Sequence, residues 1–322
     1  MKLLCADIGG TNARVAIVEN QKVEVIHVYP TQALEGARDL FKRFLNDLQI
    51  PLPRMAALAA AGVMEKGKIK GTNIPWDIDC NEISEELGLE KCIVLNDFEA
   101  AAWGLLAVDE DKLIKVQGAK IDPLGTKAIL GPGTGLGEAI LVRCKDGWQV
   151  LRTEGGHASL SPRDETGILL LAHLMKKYGH VSFERVLSGS GLVEIYRFFV
   201  REDKRALERL SSIPLKERAS HVSKLAQNGD EDALNAVEFF FKTYGEEASN
   251  LALKCLPSGG IYLTGGITLH LMDFLLKGPF RACFQDKGRM ANLLKDMAVF
   301  AVDEPLLGIL GAAYRLTKGL TE

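Results

Sequence analysis

The sequence predicts an α/β protein of two lobes, each a mixed sheet flanked by helices, with a ligand held between them. Two observations carry this. A βββαβαβα order of strand-like and helix-like runs starts at Leu3 and starts again at Lys127. In each copy a glycine- and threonine-bearing turn joins the first two strands: Asp7-Ile8-Gly9-Gly10-Thr11-Asn12, then Gly131-Pro132-Gly133-Thr134-Gly135-Leu136-Gly137. Such a turn can fold N–H groups and a hydroxyl around phosphate oxygens, because glycine admits close approach and positive φ. Two of them point to two halves gripping one nucleotide.

The first copy opens with three β-like runs, Leu3–Ile8, Ala13–Val18 and Val23–Tyr29, whose short polar turns predict an antiparallel meander. Leu40, Phe41, Phe44, Leu45 and Leu48 share one face at helical spacing, so a helix follows, ended by Pro51 and Pro53. An Ala-rich strand over Met55–Ala61, a Lys/Gly hairpin over Glu65–Gly71 and a Glu-rich helix over Glu82–Leu87 come next. The strand Cys92–Leu95 leads into Asn96-Asp97 and a helix over Glu99–Leu106. In the second copy the strands are Ala128–Leu130, Glu138–Val142 and Trp148–Arg152. Helices over Gly167–Lys177, Gly191–Glu202 and Asp232–Leu253 precede a strand Gly260–Leu263 that runs into Thr264-Gly265-Gly266. A strand within Met297–Val302 and a helix over Leu306–Leu316 close the chain. The division expected is residues 1–106 as the small lobe, completed by the C-terminal helix in 304–322, and 107–303 as the large lobe.

With 322 residues, 47% hydrophobic and 25% charged, the chain is long enough for two such lobes and a large core. A net charge of −3 gives no reason to expect nucleic acid or an anionic membrane as partner, and favours a small molecule. The six cysteines lie far apart with no C-x-x-C pair, against a zinc site and a disulfide scaffold. The early acid Asp7 interrupts any signal-peptide core and the longest apolar run, Met55 to Met64, is too short for a bilayer, so a cytoplasmic protein is expected.

Several phosphate motifs are excluded. G-x-G-x-x-G fails in both registers, ending on Leu136 or Glu138, which disfavours a dinucleotide dehydrogenase. Gly62 to Lys68 matches a Walker A loop except at its last place, Ile69, and reads as a hairpin. No H-R-D or D-F-G of protein kinases is present. What remains is D-x-G-G-T-N, G-x-G-T-G-L-G and L-T-G-G-I, with Leu95-Asn96-Asp97-Phe98 and Glu154-Gly155-Gly156-His157. In that order and spacing, these five resemble bacterial glucokinases of the proteobacterial and cyanobacterial type. That family lies within the sugar-kinase, actin and heat-shock-chaperone ATPase superfamily, and the likeness runs from Asp7 to Leu307-Gly308-Ile309-Leu310-Gly311.

The resemblance implies a two-lobed actin-like, ribonuclease H-like fold with a cleft between the lobes. It implies MgATP held by Ala6, Asp7, Ile8, Gly9, Gly10, Thr11 and Asn12 on one side and Gly133, Thr134 and Gly135 on the other. Gly265 and Gly266 would lie on the adenosine side, and Asp7 would meet Mg²⁺ through water. Asp97 matches the family's general base toward the glucose 6-hydroxyl, a poor nucleophile until its proton has an acceptor. Asn73, Asn96, Glu154, His157 and Glu184 match sugar ligands, the last within Glu184-Arg185-Val186-Leu187-Ser188-Gly189. Read without the family, Asn96-Asp97 is first of all a helix cap, and Asp7 has the alternative of a turn residue that caps backbone amides. Trp76 and Trp103 read as core residues. Pro132 and Glu138 depart from the smaller or apolar residues expected beside the second glycine turn, and Ser190 from a proline.

The expectation is an ATP-dependent glucokinase, with homodimerisation implied by the resemblance. The alternatives are a kinase for fructose, mannose or an N-acetylated amino sugar, one using another phosphoryl donor, a sugar-sensing regulator, or an assembly protein of the actin kind.

Overall fold

The computed structural model describes residues 1–65, 67–71, 74–118 and 121–318, the side chain of Val63 excepted. The chain divides into two compact units. Unit 1 comprises Met1–Lys112, Val150–Arg152 and the chain from Glu304 onward; unit 2 comprises Leu113–Gln149 and Thr153–Asp303.

Unit 1 starts with β1 (Lys2–Ile8), β2 (Asn12–Glu19) and β3 (Lys22–Pro30), the antiparallel meander expected. Helix α1 (Ala37–Leu48) buries Ala37, Leu40, Phe41 and Phe44 and ends on Gln49 in the left-handed region. Strand β4 (Met55–Ala60) is wholly buried, as its unbroken Met-Ala-Ala-Leu-Ala-Ala run requires of a central parallel strand. β5 (Gly62–Glu65), β6 (Lys68–Gly71) and β7 (Ile78–Asp79) make a small separate antiparallel sheet, so the near-Walker stretch is a hairpin. Helix α2 (Cys80–Leu87), capped by the Asp79 side chain on Asn81 N, leads to β8 (Lys91–Asn96) and α3 (Asp97–Gly104). The main sheet runs β3-β2-β1-β4-β8, with β1, β4 and β8 parallel.

Unit 2 repeats that order. The strands of its sheet are β9 (Leu113–Gln117), β10 (Lys127–Pro132), β11 (Leu136–Cys144), β12 (Gly147–Arg152, whose last three residues are counted in unit 1), β13 (Ile261–Leu263) and β14 (Val299–Val302), in the order β12-β11-β10-β13-β14-β9. β10, β13 and β14 are parallel, and β9 adds an antiparallel edge that unit 1 lacks. The duplicated α/β sheet is therefore the predicted one. β9 was not foreseen.

Between β12 and β13 lie α4 (Glu165–Tyr178), α5 (Gly189–Phe199), α6 (Lys204–Ser212), α7 (Arg218–Gln227) and α8 (Glu231–Cys255). Helix α5 begins two residues before the predicted start, because the Ser188 side chain accepts from Gly191 N, and ends at Phe199 instead of Glu202. Helix α8 is the centre of this core: Phe240, Phe241 and Tyr244 are fully buried, and the Tyr244 hydroxyl donates to Leu130 O of β10 at 3.0 Å. Short helices α9 (Gly266–His270), α10 (Met272–Leu276), α11 (Pro279–Gln285) and α12 (Ala291–Asp296) precede β14.

The last helix, α13 (Leu307–Lys318), follows β14 in the chain yet belongs to unit 1 and packs against α3. The two backbones meet through glycine: a Cβ on Gly311 would overlap the Ala100 carbonyl oxygen and stand 2.5 Å from Gly104 N. Trp103 is buried there, stacked on Tyr314 with ring centroids 6.2 Å apart, and Trp76 packs half-buried on the unit 1 core. Among the described residues no helix is long and apolar enough to cross a membrane.

Candidate active site

In unit 1 the register of the parallel strands puts Ile8, Ala60 and Asn96 side by side. The β1–β2 turn and the Asn96-Asp97 corner therefore open on the same carboxyl edge of the sheet, the edge where such sheets bind ligands. Gly9 N donates to Asn12 O at 3.0 Å across the turn. The fully buried Thr31, just beyond β3, donates through Oγ1 to Gly9 O at 2.7 Å and through its N–H to Thr11 O at 3.0 Å. Ala6, Asp7, Ile8, Gly9, Gly10, Thr11 and Asn12 thus sit on one hairpin, held in shape by a residue the sequence reading passed over.

Asp7 lies directly opposite Arg14 in the antiparallel register, and its Oδ2 is 3.3 Å from Arg14 Nη1. Burial pushes the Asp7 carboxyl up and Arg14 opposes this, leaving it above its ordinary value. A Cβ on Gly308, in the first turn of α13, would stand 3.6 Å from Asp7 Cγ, so the carboxyl faces that turn. Arg14 was also missed, although the signal was available. A four-residue turn between Ile8 and Ala13 pairs position 7 with position 14.

Asn96 caps α3: its Oδ1 accepts from Phe98 N at 3.0 Å and Glu99 N at 3.2 Å, while Nδ2 donates to Gly62 O at 3.2 Å. The capping alternative thus holds for Asn96, and little of its amide is left over. Asp97 is the first residue of the helix, and its Oδ1 accepts from Phe98 N at 2.9 Å. Asn73 lies outside the described residues.

Unit 2 brings Glu154, His157 and Glu184 together. His157 Nε2 is 3.8 Å from Glu154 Oε2, and its Nδ1 is 4.0 Å from Glu184 Oε1. Residues Gly155–His157 form a single 3₁₀ turn, closed by His157 N on Glu154 O at 3.0 Å. Glu184 also reaches the second glycine turn, where its Oε2 accepts from Leu136 N at 3.1 Å and fills the space a side chain at Gly135 would need. That turn is cross-tied by Gly133 N to Gly135 O at 2.7 Å and Gly189 N to Gly133 O at 2.9 Å. The side chains of Glu154 and His157 are 74% and 59% exposed, so unit 2's own residues do not make the dry pocket expected around a sugar.

Gly265 and Gly266 follow β13, which lies parallel to β10 with Leu263 beside Leu130, so they emerge beside Gly133, Thr134 and Gly135. Gly265 has φ 97°, and a Cβ there would overlap Pro132 O; Gly266 starts α9 and has open space where a Cβ would be, as has Gly133. These are places where backbone alone meets whatever lies above the edge. A cavity of about 550 Å³ in unit 1, lined by Ile17, Val25, Leu48 and Leu52 among others, also includes Met1 and Lys2 at the far end of β1 and touches none of these residues.

A glucokinase family model matches residues 4–319. A glucokinase of Marinobacter nauticus is 36% identical over 315 residues, covering 97% of this chain and 96% of that one. A glucokinase of Nostoc punctiforme is 33% identical over 333 residues, covering 97% of each. The crystal structure of a glucokinase from an Antarctic psychrotroph, 30% identical, superposes with a TM-score of 0.82 over 98% of both chains. With its duplicated sheet and both glycine turns at strand ends, this chain belongs to the glucokinase family, sugar kinases that transfer phosphate to an alcohol group.

Proposed function

We propose that this protein phosphorylates D-glucose on its 6-hydroxyl with ATP as donor, and that Asp97 is the general base. The observation that carries the reading is the strand register of unit 1, which sets Asp97 and the Asp7–Asn12 turn on one sheet edge. The 6-oxygen attacks the γ-phosphorus and its proton passes to the Asp97 carboxylate. The bond from the γ-phosphorus to the bridging oxygen breaks, and ADP leaves. Asp97 sits in the first turn of α3, where the Phe98 N–H donates to its Oδ1. Glu154, His157 and Glu184 accept from and donate to sugar hydroxyls, and a site built on such bonds rejects analogues that lack the matching hydroxyl. Asn96 acts chiefly by holding the start of α3, with its remaining amide hydrogen turned to the sugar, and Asn73 is a further sugar ligand.

Within unit 1 the backbone of Gly9 to Asn12 would serve ATP phosphates, and within unit 2 the backbone of Gly133 to Gly135 would do the same, with Gly265 and Gly266 suited to the adenosine. The open space beside Gly133 and Gly266 fits this, since any larger residue would fill it. Mg²⁺ suits the donor set, because this ion takes one or two carboxylates and leaves the rest of its shell to water and phosphate; Asp7 would face it through water. Bound there, the ion would neutralise charge on the β- and γ-oxygens. We further propose a cytoplasmic homodimer.

A coupled ADP-release assay with MgATP and a panel of hexoses tests this, comparing the native chain with Asp97→Ala. Glucose-dependent turnover that the substitution abolishes is expected. Turnover unchanged by the substitution removes Asp97 from the mechanism, and turnover confined to another hexose overturns the substrate.

A further inference from the structure

The Glu154–His157 turn rests on an unusual neighbour. Glu138, on β11, is 3% exposed, and its Oε2 occupies the space that a Cβ on Gly155 would need. The same strand residue accepts through its backbone O from Thr153 Oγ1 at 3.1 Å, and Thr153 Oγ1 in turn accepts from Gly155 N at 3.3 Å. The turn is therefore seated on Glu138 by both backbone and side chain. A side chain at position 155 would have to displace the Glu138 carboxyl.

Behind Glu138 lies a second carboxyl, Glu247 of α8, which is fully buried and near enough that its charge pushes the Glu138 carboxyl up. Glu247 Oε2 accepts from Asn250 Nδ2 at 2.9 Å. The Oε1 atoms of both glutamates are buried with no hydrogen-bond partner. Two ionised carboxylates cannot share such a place, and an ionised carboxylate has no proton to donate. One proton between them satisfies both orphaned oxygens.

We infer that Glu138, joined to Glu247 by one shared proton, is a positioning residue that supports the sugar-binding turn from beneath Gly155, and that losing this proton displaces the turn and weakens glucose binding. This rests on the assignment of Glu154 and His157 to the sugar. The surrounding charges are few. Lys254 Nζ is 4.0 Å from Glu247 Oε1, Lys287 draws Glu247 down, and Tyr244 and Cys255 face Glu138 as neutral groups whose own ionisation burial pushes up. Burial first, and the Glu247 charge second, push Glu138 up to about 8. When solvent base takes the proton, two like charges remain in contact. Gly155 lies directly against one of them, on a turn whose flanking side chains are exposed.

The test is the pH dependence of KM and kcat for glucose from about pH 6.5 to about 9 in the native chain, Glu138→Gln and Glu138→Ala. In the native chain KM should rise severalfold across the alkaline half while kcat follows its own profile. Glu138→Gln keeps the shape and a donor to Glu247 but cannot ionise, so its KM should stay level through that range. Glu138→Ala should have a raised KM throughout. A KM profile for Glu138→Gln that tracks the native one overturns the inference. Glu154→Gln and His157→Ala serve as controls. If they leave KM unchanged, the sugar assignment fails by itself; if they raise it while Glu138→Gln behaves as native, only the role of Glu138 fails. Thermal melts of each variant separate lost folding from lost positioning.

Discussion

Replacing Gly311 by alanine will destabilise unit 1 and slow the enzyme, although alanine is the better helix former. The added Cβ would overlap the Ala100 carbonyl oxygen and lie 2.5 Å from Gly104 N and 2.8 Å from the Ala100 carbonyl carbon. All three are backbone atoms, so no side chain can rotate away, and α3 and α13 must separate to restore ordinary contact. Overpacking of this kind costs about 1–3 kcal/mol, and the obstruction by backbone puts it toward the upper end. The glycine-to-alanine gain within a helix returns about 1 kcal/mol. The net loss of about 1–2 kcal/mol corresponds to a Tm lower by roughly 2–8 °C for a body of this size. Because α3 begins at Asp97, the same separation moves the proposed base, and a displacement near 1 Å can reduce kcat by about a hundredfold. Calorimetry with steady-state kinetics on the purified variant measures both. A Tm equal to or above that of the native chain would refute the close-packed crossing.

Three further outcomes are expected. Asp97→Asn should lower kcat by about 10²–10⁴-fold with KM for glucose little changed, read in the ADP-release assay, since the isosteric amide keeps the packing but cannot accept the proton. Thr31→Val should cost about 1–2 kcal/mol by denaturant unfolding and raise KM for ATP, because it removes the 2.7 Å bond to Gly9 O that shapes the first glycine turn, the proposed phosphate cradle. Arg14→Met should destabilise the protein more near pH 7 than near pH 4. The folded-state value of Asp7 already lies above its unfolded value, so its contribution is fully present at low pH and fades as pH rises through the folded value. Without Arg14 that value climbs further, and the ionised carboxylate at neutral pH is left less compensated. Denaturant midpoints at the two pH values decide this.

Much of the candidate site was legible because its residues are local in the chain. The two glycine turns, the Asn96-Asp97 corner and Glu154-Gly155-Gly156-His157 each lie within seven consecutive residues, and turn chemistry and strand ends are short-range properties. The capping role of Asn96 was open in the sequence, and the bonds from Phe98 N and Glu99 N settled it. Thr31 escaped notice because a threonine after a strand carries no signature until the strands are paired, whereas Arg14 is found by counting across the β1–β2 turn.

The sequence by itself determined the duplicated order of strands and helices, the place of both glycine turns and the family, because periodicity and turn residues act over a few positions. Only the tertiary structure decided which element α13 packs on, namely α3. It also decided that Gly104 and Gly311 meet, and that Glu138 and Glu247 share one buried place beneath Gly155. These partners lie a hundred positions or more apart, and nothing local selects them. Sheet register and the close packing of helices bring them into contact, and burial then gives two ordinary glutamates a proton to share.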